Sequence, residues 1–438
     1  LLIFYKKCFF PNAILLYFNL YISRMHLINP QEAISKMEGV VEVKSYLNKI
    51  RLIKNLYQKG TTTANDSCAE IGISLPTVNS LLTDLIRSGE VIKEGRAASQ
   101  GGRKPDLYRL APDAFYVLSV DLSKFSLSMA LYNCQHVVAA AKVTHKIILN
   151  NEKETFEQLC THIENYLTGT GIASEKIIAM GISMPGLIDS KAGINYTHLK
   201  FGTLSLQEHL ERRFPQKIFL ENDARAMTLA EYKFGAGHAA KQVLGIFIGW
   251  GIGLGILIDG KIYQGSSGFA GEFAHSPIFE SQEISCTCGK KGCLEAVASG
   301  SSIVRMAEEA IRIDRDGILA RMATEKQGIL EPELIVEAAL AGDQRAITIL
   351  SEVGLNLGRG ISMLIQLLNP ELIIIGGAVA EAKQYLLTPI QQALNIYSMA
   401  KSREKTQLAL YHLGKDVGLL GGVAVVNDKL FEELFKSA

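Results

Sequence analysis

Residues 270–295 read AGEFAHSPIFESQEISCTCGKKGCLE, and the chemistry of this stretch decides the fold. His275 is followed by Cys286, Cys288 and Cys293, four soft or borderline donors in a C-x-C-x4-C pattern with one upstream imidazole. Thiolates and an imidazole at this spacing can close a tetrahedral shell of the Cys3His kind that holds structural zinc. Gly289 and Gly292 suit a tight knuckle between the second and third thiolates, because glycine tolerates positive φ. The competing reading is three buried or paired cysteines. Pairing is disfavoured in a reducing compartment, and tight Cys/His spacing carries a ligand geometry as well as a composition. Glu272 and Glu295 flank the knuckle. A metal that ties the loop into one shape fixes both carboxylates, and each can accept two hydroxyl hydrogen bonds from a polyhydroxylated ligand. By spacing alone they read equally well as solvated loop charges.

This run resembles the diagnostic segment of the ROK family, which groups sugar-responsive repressors, unassigned reading frames and sugar kinases. The resemblance extends over residues 41–438. It implies that His275, Cys286, Cys288 and Cys293 bind zinc, and that Glu272, His275 and Glu295 face a sugar together with Asn222 and Asp223. It also implies that Gly193–Gly202 contributes to the pocket, although that segment lacks the aromatic-rich pattern expected there.

From Phe115 onward the pattern is FYVLSVDL and SLSMALYN as strands, then an amphipathic helix over Glu154–Leu167. IIAMGISM leads into Pro185-Gly186, and KIFLE, LGIFIGWG, LGILIDG and ELIIIGGA supply further strands. Strands alternating with helices, with glycines at strand ends, define an α/β body. The resemblance makes it an actin-like ATPase fold, a sugar-kinase-like body of two lobes around a cleft: lobe 1 over residues 113–235 and lobe 2 over 236–438, with the C-terminal helix returning to lobe 1. Asn222-Asp223 ends one strand and opens the helix ARAMTLAEYKFG. Either residue can cap that helix. In ROK kinases the matching aspartate is the general base, and Asp223 holds that position.

The phosphate loops weigh against ATP chemistry. Backbone amides wrap phosphates only where small residues leave them open. The family's first loop reads Asp-x-Gly-Gly-Thr, whereas this chain reads Asp121-Leu122-Ser123-Lys124-Phe125. The second loop, Gly249 to Gly253, keeps its glycines but places Trp250 where kinases carry a small hydroxyl residue.

Charge is partitioned along the chain. The net is +1, yet residues 41–112 hold 11 Lys+Arg against 7 Asp+Glu, residues 1–40 hold four against two, and the remainder is acidic at −5. A basic module on an acidic body points to nucleic acid at one end only. Residues 41–112 read as three helices, the third capped by Ser74 with Pro76 in its first turn. Its polar face carries Thr77, Asn79, Ser80, Thr83 and Arg87. Two short strands then enclose EGRAASQGGRKPD, a wing whose Arg96, Arg103 and Lys104 can meet phosphate. A generic three-helix domain with a solvated basic loop is the alternative. The segment resembles the winged helix-turn-helix of ROK repressors, which ROK kinases lack.

Residues 1–40 lack an initiator methionine and begin with an apolar run after Lys6-Lys7. The run is short for a membrane span; it reads as a translated extension outside the fold, with Met25 or Met37 as starts, and a short tether as the lesser reading. The expectation is a cytoplasmic, sugar-responsive repressor of carbohydrate uptake or catabolism genes. Its structural cofactor is Zn2+, and its partners are operator double-stranded DNA, a sugar or sugar-phosphate effector and itself, as a homodimer or homotetramer. It has no membrane partner and is not an enzyme. The alternatives are an ATP-dependent sugar kinase with Asp223 as base, and a module that docks a transport protein.

Overall fold

The computed structural model describes residues 37, 39–97, 104–237, 239–279 and 284–436. Arg103, most of the wing tip, Met25 and residues 1–36 of the proposed extension lie outside them.

Three helices open the described chain: α1 (Val40–Lys59), α2 (Ala64–Ile71) and α3 (Leu75–Arg87). The Ser74 side chain caps α3 by accepting from the Thr77 amide, with Pro76 in the first turn, where its missing N–H has no intrahelical partner to lose. Val78, Leu81, Leu82 and Leu85 are the buried stripe of α3, the spacing that one face of an α-helix requires. A small antiparallel sheet follows, from β1 (Thr62–Thr63), β2 (Val91–Arg96) and β3 (Asp106–Leu110) in the order β1-β3-β2.

Two five-stranded sheets form the body. The first takes β4 (Tyr116–Leu122), β5 (Ser126–Asn133) and β6 (Val138–Lys146), then β7 (Ile177–Met184) after helix α4 (Lys153–Gly169). The ribbon of β8 (Ile188–Asp189) and β9 (Ile194–Asn195) and the short α5 (Leu206–Glu211) lead to the last strand, β10 (Lys217–Asn222). Helix α6 (Asp223–Phe234) leaves it. The second sheet takes β11 (Gln242–Ile248), β12 (Ile252–Ile258) and β13 (Lys261–Ile262). Five helices intervene, α7 (Leu294–Ala298), α8 (Gly300–Ile313), α9 (Ile318–Glu325), α10 (Pro332–Leu340) and α11 (Gln344–Leu368). Then come β14 (Leu372–Gly376), α12 (Gln384–Tyr397), α13 (Ala400–Arg403), β15 (Gln407–Leu410) and the last helix, α14 (Val417–Lys436).

The sheets run β6-β5-β4-β7-β10 and β13-β12-β11-β14-β15. The topology is therefore duplicated: an antiparallel three-strand meander, extended on its first strand by two parallel strands. Strand β7 is buried along its whole length, as a strand covered on both faces must be.

Two helices cross between the lobes. Helix α6 starts at the end of the first sheet and packs on β11 and β12 of the second, while α14 follows the second sheet and packs on β4 and β7 of the first. The return of α14 depends on close approach. A Cβ at Gly422 would collide with Ser119 Oγ, and one at Gly181 of β7 with the Gly422 carbonyl, so only glycine fits at both places. Each lobe has its own apolar core. A third cluster fills the space between them and continues without a break into α1 and α3. At that junction the Tyr57 ring lies 5.2 Å from Phe115, 4.8 Å from His136 and 5.8 Å from Phe431, and His136 lies 5.0 Å from Phe234 at the end of α6. No described helix is long and apolar enough to cross a membrane.

Candidate functional site

A cleft of about 1630 Å³ separates the sheets. Strand ends supply much of its wall: Asp121 from β4, Pro185-Gly186 after β7, Asn222-Asp223 at the β10–α6 junction, Gly249 after β11 and Gly377 after β14. Parallel strands end where α/β proteins bind ligands.

At the β10–α6 junction the capping question resolves by geometry. Asn222 is the cap, its Oδ1 accepting from the Arg225 amide at 3.2 Å while its Nδ2 donates to the Gly186 carbonyl at 3.2 Å. Asp223 is thereby left for the cleft, with Oδ1 accepting from the Ala224 amide at 2.8 Å. Burial pushes its carboxyl up, with that amide and the Arg225 charge opposing. Asp121 is pushed up to about 6 by burial, against a hydrogen bond from Ser183 at 2.7 Å and with repulsion from Asp223 adding to the rise.

Glu272 is raised by burial as well; His275 and Arg225 lower it, and Glu295 and Asp223 raise it further. The sugar-facing set named from the sequence therefore converges, since Asn222, Asp223, Glu272, His275 and Glu295 all line one cleft. From Gly193–Gly202, the cleft wall takes Thr197. Three clustered carboxylates and an amide form an acceptor-rich surface suited to hydroxyl groups.

His275 ends a short 3-10 turn, Glu272–His275, at the edge of the cleft. The ring faces two ways: Nδ1 lies 3.4 Å from Cys286 Sγ, and Nε2 lies 3.9 Å from Glu272 Oε2. Cys288 Sγ and Cys293 Sγ are 3.6 Å apart, far beyond the ~2.05 Å of a disulfide. All four donor atoms of His275, Cys286, Cys288 and Cys293 fall within 4.8 Å of one another. A tetrahedral ion with ~2.3 Å metal–sulfur bonds sets its sulfurs about 3.8 Å apart, so this cluster can hold a metal ion. The knuckle closes through the Cys286 amide to Lys290 O at 2.8 Å and the Gly289 amide to Cys286 O at 3.0 Å. Gly289 and Gly292 adopt φ of 85° and 77°, a region that favours glycine. The Lys290 amide lowers the pKa of Cys288, which favours the thiolate a metal needs.

The two turns that the sequence reading sets beside phosphate loops are both filled by the chain's own groups. The Ser123 hydroxyl accepts from the Phe125 and Ser126 amides at 3.3 and 3.0 Å. In the second loop the Ile252 amide donates to Glu295 Oε2 at 3.2 Å. Trp250 and Phe125 meet edge to face across the cleft, 5.3 Å between centroids.

Beneath the site lies a buried ionic hub that the sequence did not announce. Glu221 Oε1 accepts from Arg225 Nε at 2.7 Å, and Lys429 Nζ lies 2.9 Å from Glu221 Oε2. Arg225 also donates to the carbonyls of Ile188 and Gly268. The i, i+4 spacing of Glu221 and Arg225 was the available signal, but it spans a strand–helix junction, where that spacing carries no pairing rule.

On α3, Asn79, Ser80 and Thr83 are exposed and Thr77 is half-buried. The Thr77 hydroxyl lies 2.8 Å from that of Ser74, and Thr83 Oγ1 donates to the Asn79 carbonyl at 2.8 Å. Arg96 lies 3.6 Å from Asp106, and Lys104 is exposed.

A two-lobed sugar-kinase-like body with an acceptor-lined cleft and a Cys/His cluster at its edge is the class that fold and site define. Residues 119–429 match the model of the ROK family, and the chain belongs to that family. It is 32% identical to a glucokinase of Halalkalibacterium halodurans over 317 residues, covering 71% of this chain and 94% of that protein. It is 26% identical to the xylose repressor of Caldicellulosiruptor bescii over 383 residues, covering 87% of this chain and 95% of the repressor. Among solved structures, a ROK family transcriptional regulator, homologue of the E. coli MLC protein, superposes with a TM-score of 0.74 at 26% identity, over 90% of this chain and 98% of that one.

Proposed function

We propose that the chain is a sugar-responsive, DNA-binding transcriptional regulator, a cytoplasmic repressor of carbohydrate uptake or catabolism genes. The observation that carries this reading is the three-helix unit with its β2–β3 hairpin, residues 41–112, packed on α14 through the Tyr57 cluster. The similarity to a xylose repressor and to a solved ROK regulator extends over more of the chain than does the similarity to a glucokinase. In this reading residues 41–112 are a winged helix-turn-helix: α3 enters the major groove with Asn79, Ser80 and Thr83 forward, and the hairpin carries Arg96 and Lys104 towards phosphate. Residues 113–235 and 236–438 are the two lobes of the sugar domain. Two half-sites one helical turn apart require at least a homodimer.

The effector is a sugar or sugar phosphate. Asn222, Asp223, Glu272 and Glu295 accept from its hydroxyls, and lobe closure around it shifts the DNA-binding units only to the extent that it binds one lobe arrangement better than the other. For the Cys/His cluster we propose Zn2+, held by His275, Cys286, Cys288 and Cys293, as a structural ion that fixes the knuckle. His275 then holds the ion through Nδ1 and keeps Nε2 towards the sugar.

A gel shift with the DNA upstream of the protein's own gene, repeated with a panel of sugars and sugar phosphates, tests the reading. A specific shift released by one sugar, and retained with that sugar in Asp223→Asn, is the expected result. The absence of any shift in folded, metal-loaded protein overturns it. The second reading, an ATP-dependent sugar kinase with Asp223 as base, draws on the similarity to a glucokinase and on the place of Asp223 in the cleft wall, with its carboxyl pushed up by burial. An ATP-coupled assay over hexoses and amino sugars decides between them.

A further inference from the structure

The β4–β5 and β11–β12 hairpins are topological equivalents in the duplicated sheets, and their tips face each other across the cleft. One tip carries Lys124 and Phe125, the other Trp250. The Phe125 and Trp250 rings meet at 76°, 5.3 Å between centroids, an edge-to-face contact of the favoured kind. Lys124 Nζ stands 5.2 Å from the Phe125 centroid and 5.9 Å from that of Trp250, within cation–π range of both.

The contact has no core to explain it. Phe125 is 41% exposed, and its ring partner among the described residues is Trp250, on the other lobe. Each tip is also tied to its own lobe. The Leu149 and Ile147 amides donate to the carbonyls of Lys124 and Phe125 at 3.0 and 3.2 Å, and the Gly300 and Ser301 amides donate to those of Gly249 and Trp250 at 2.9 and 3.0 Å. Neither ring can follow the other if the lobes part, so the pair makes contact in one range of lobe separation and loses it in another.

We propose that Lys124, Phe125 and Trp250 form an interlobe clamp. The chain's own side chains bridge the two phosphate-loop positions, where the phosphates of a nucleotide would otherwise join the lobes, and they hold the cleft closed without one. The two rings, with Lys124 beside them, take up the space where a kinase would hold a bound anion, and that bulk makes the cleft selective against nucleoside triphosphates. This rests on reading the two turns as phosphate-loop positions and does not depend on DNA binding.

Trp250 is the one tryptophan of the chain, so intrinsic fluorescence reports this contact directly. The experiment uses the full chain free of DNA and sugar, and reads emission maximum, acrylamide quenching and radius of gyration by small-angle scattering. Phe125→Ala should move the closed–open balance by about two- to tenfold, the worth of one aromatic pair. That shift is read as red-shifted emission, stronger quenching and a larger radius. Phe125→Leu, which keeps bulk without a ring, and Lys124→Met, which keeps length without charge, should move the same way by less. Mg-ATP at millimolar concentration should leave the parent's emission unchanged. Unchanged emission and quenching in Phe125→Ala would overturn the clamp, as would a saturable response of the parent to Mg-ATP. Neither arm uses operator or sugar. A failed gel shift therefore leaves the clamp standing, and a failed clamp leaves the regulator reading standing.

Discussion

Arg225→Ala removes the cation that joins both lobes beneath the cleft, and its cost follows from the burial of its partner. The side chains of Arg225 and Glu221 are 4% and 2% exposed. Burial alone would push the Glu221 carboxyl up; Lys429 and Arg225 more than offset this and hold it at about 2. Taking one member from a buried pair costs about 3–5 kcal/mol, and because Lys429 stays within 2.9 Å of Glu221 the lower end, about 3 kcal/mol, applies. The family-matched body, residues 119–429, unfolds with an entropy of roughly 0.65 kcal/mol/K, so the melting temperature should fall by about 4–5 °C at pH 7. The pH dependence supplies a second check. Glu221 has a folded-state pKa below its unfolded value of about 4.3, so its stabilisation is complete above that value and is lost as pH falls towards the folded one. Without Arg225 the folded value rises, so the gap between variant and parent should narrow as pH drops from about 5 towards 3. Scanning calorimetry across that range reads both effects. A variant melting within about a degree of the parent at pH 7, or a gap that widens in acid, would refute the argument.

Asp121 carries the opposite sign. Its folded pKa of about 6 lies above the ordinary value, so the charged form costs stability above that pH, and Asp121→Asn should raise the melting temperature at pH 7.5, by up to about 2–3 kcal/mol of stability. The gain should fade as pH falls from about 6 towards 4 and be absent below that, and a neutral or destabilised variant at pH 7.5 would contradict the assignment. Cys288→Ser removes one donor of the Cys/His cluster, so elemental analysis after dialysis should show bound metal dropping from one per chain; full retention would take Cys288 out of the site. Asn79→Ala should relax base preference at one position of a selected operator, by about 1–3 kcal/mol of discrimination, and an unaltered preference at every position would remove Asn79 from base readout.

The knuckle was legible because its evidence is local: four donors and two glycines along one short loop report a geometry without help from the rest of the chain. The α3 stripe and its Ser74 cap were legible for the same reason. Asn222-Asp223 was legible as a pair, but which residue caps and which faces the cleft needed the position of Gly186, a loop from another strand. The Glu221–Arg225–Lys429 hub was not legible, since Lys429 arrives from more than two hundred residues away. Phe125 and Trp250 each read as a damaged phosphate loop, and only the duplicated topology makes the two departures into one contact. Strand β6, exposed along much of its length, lacks the apolar alternation that marks its neighbours and was missed for that reason.

The crossing of α14 has a consequence for biosynthesis. The first sheet receives this cover, and Tyr57 receives the Phe431 ring, from the last helix described. At translation rates of 5–20 residues per second, the roughly 320 residues between β3 and Phe431 keep those surfaces waiting for about 15–60 s. During that interval the nascent chain exposes the apolar seat of its N-terminal three-helix unit, a substrate for chaperones and proteases. A product truncated before α14 leaves Tyr57 and Phe115 uncovered for good. Assembly of the two-lobed body thus doubles as a proofreading step: the N-terminal three-helix unit is seated only on a chain translated through α14.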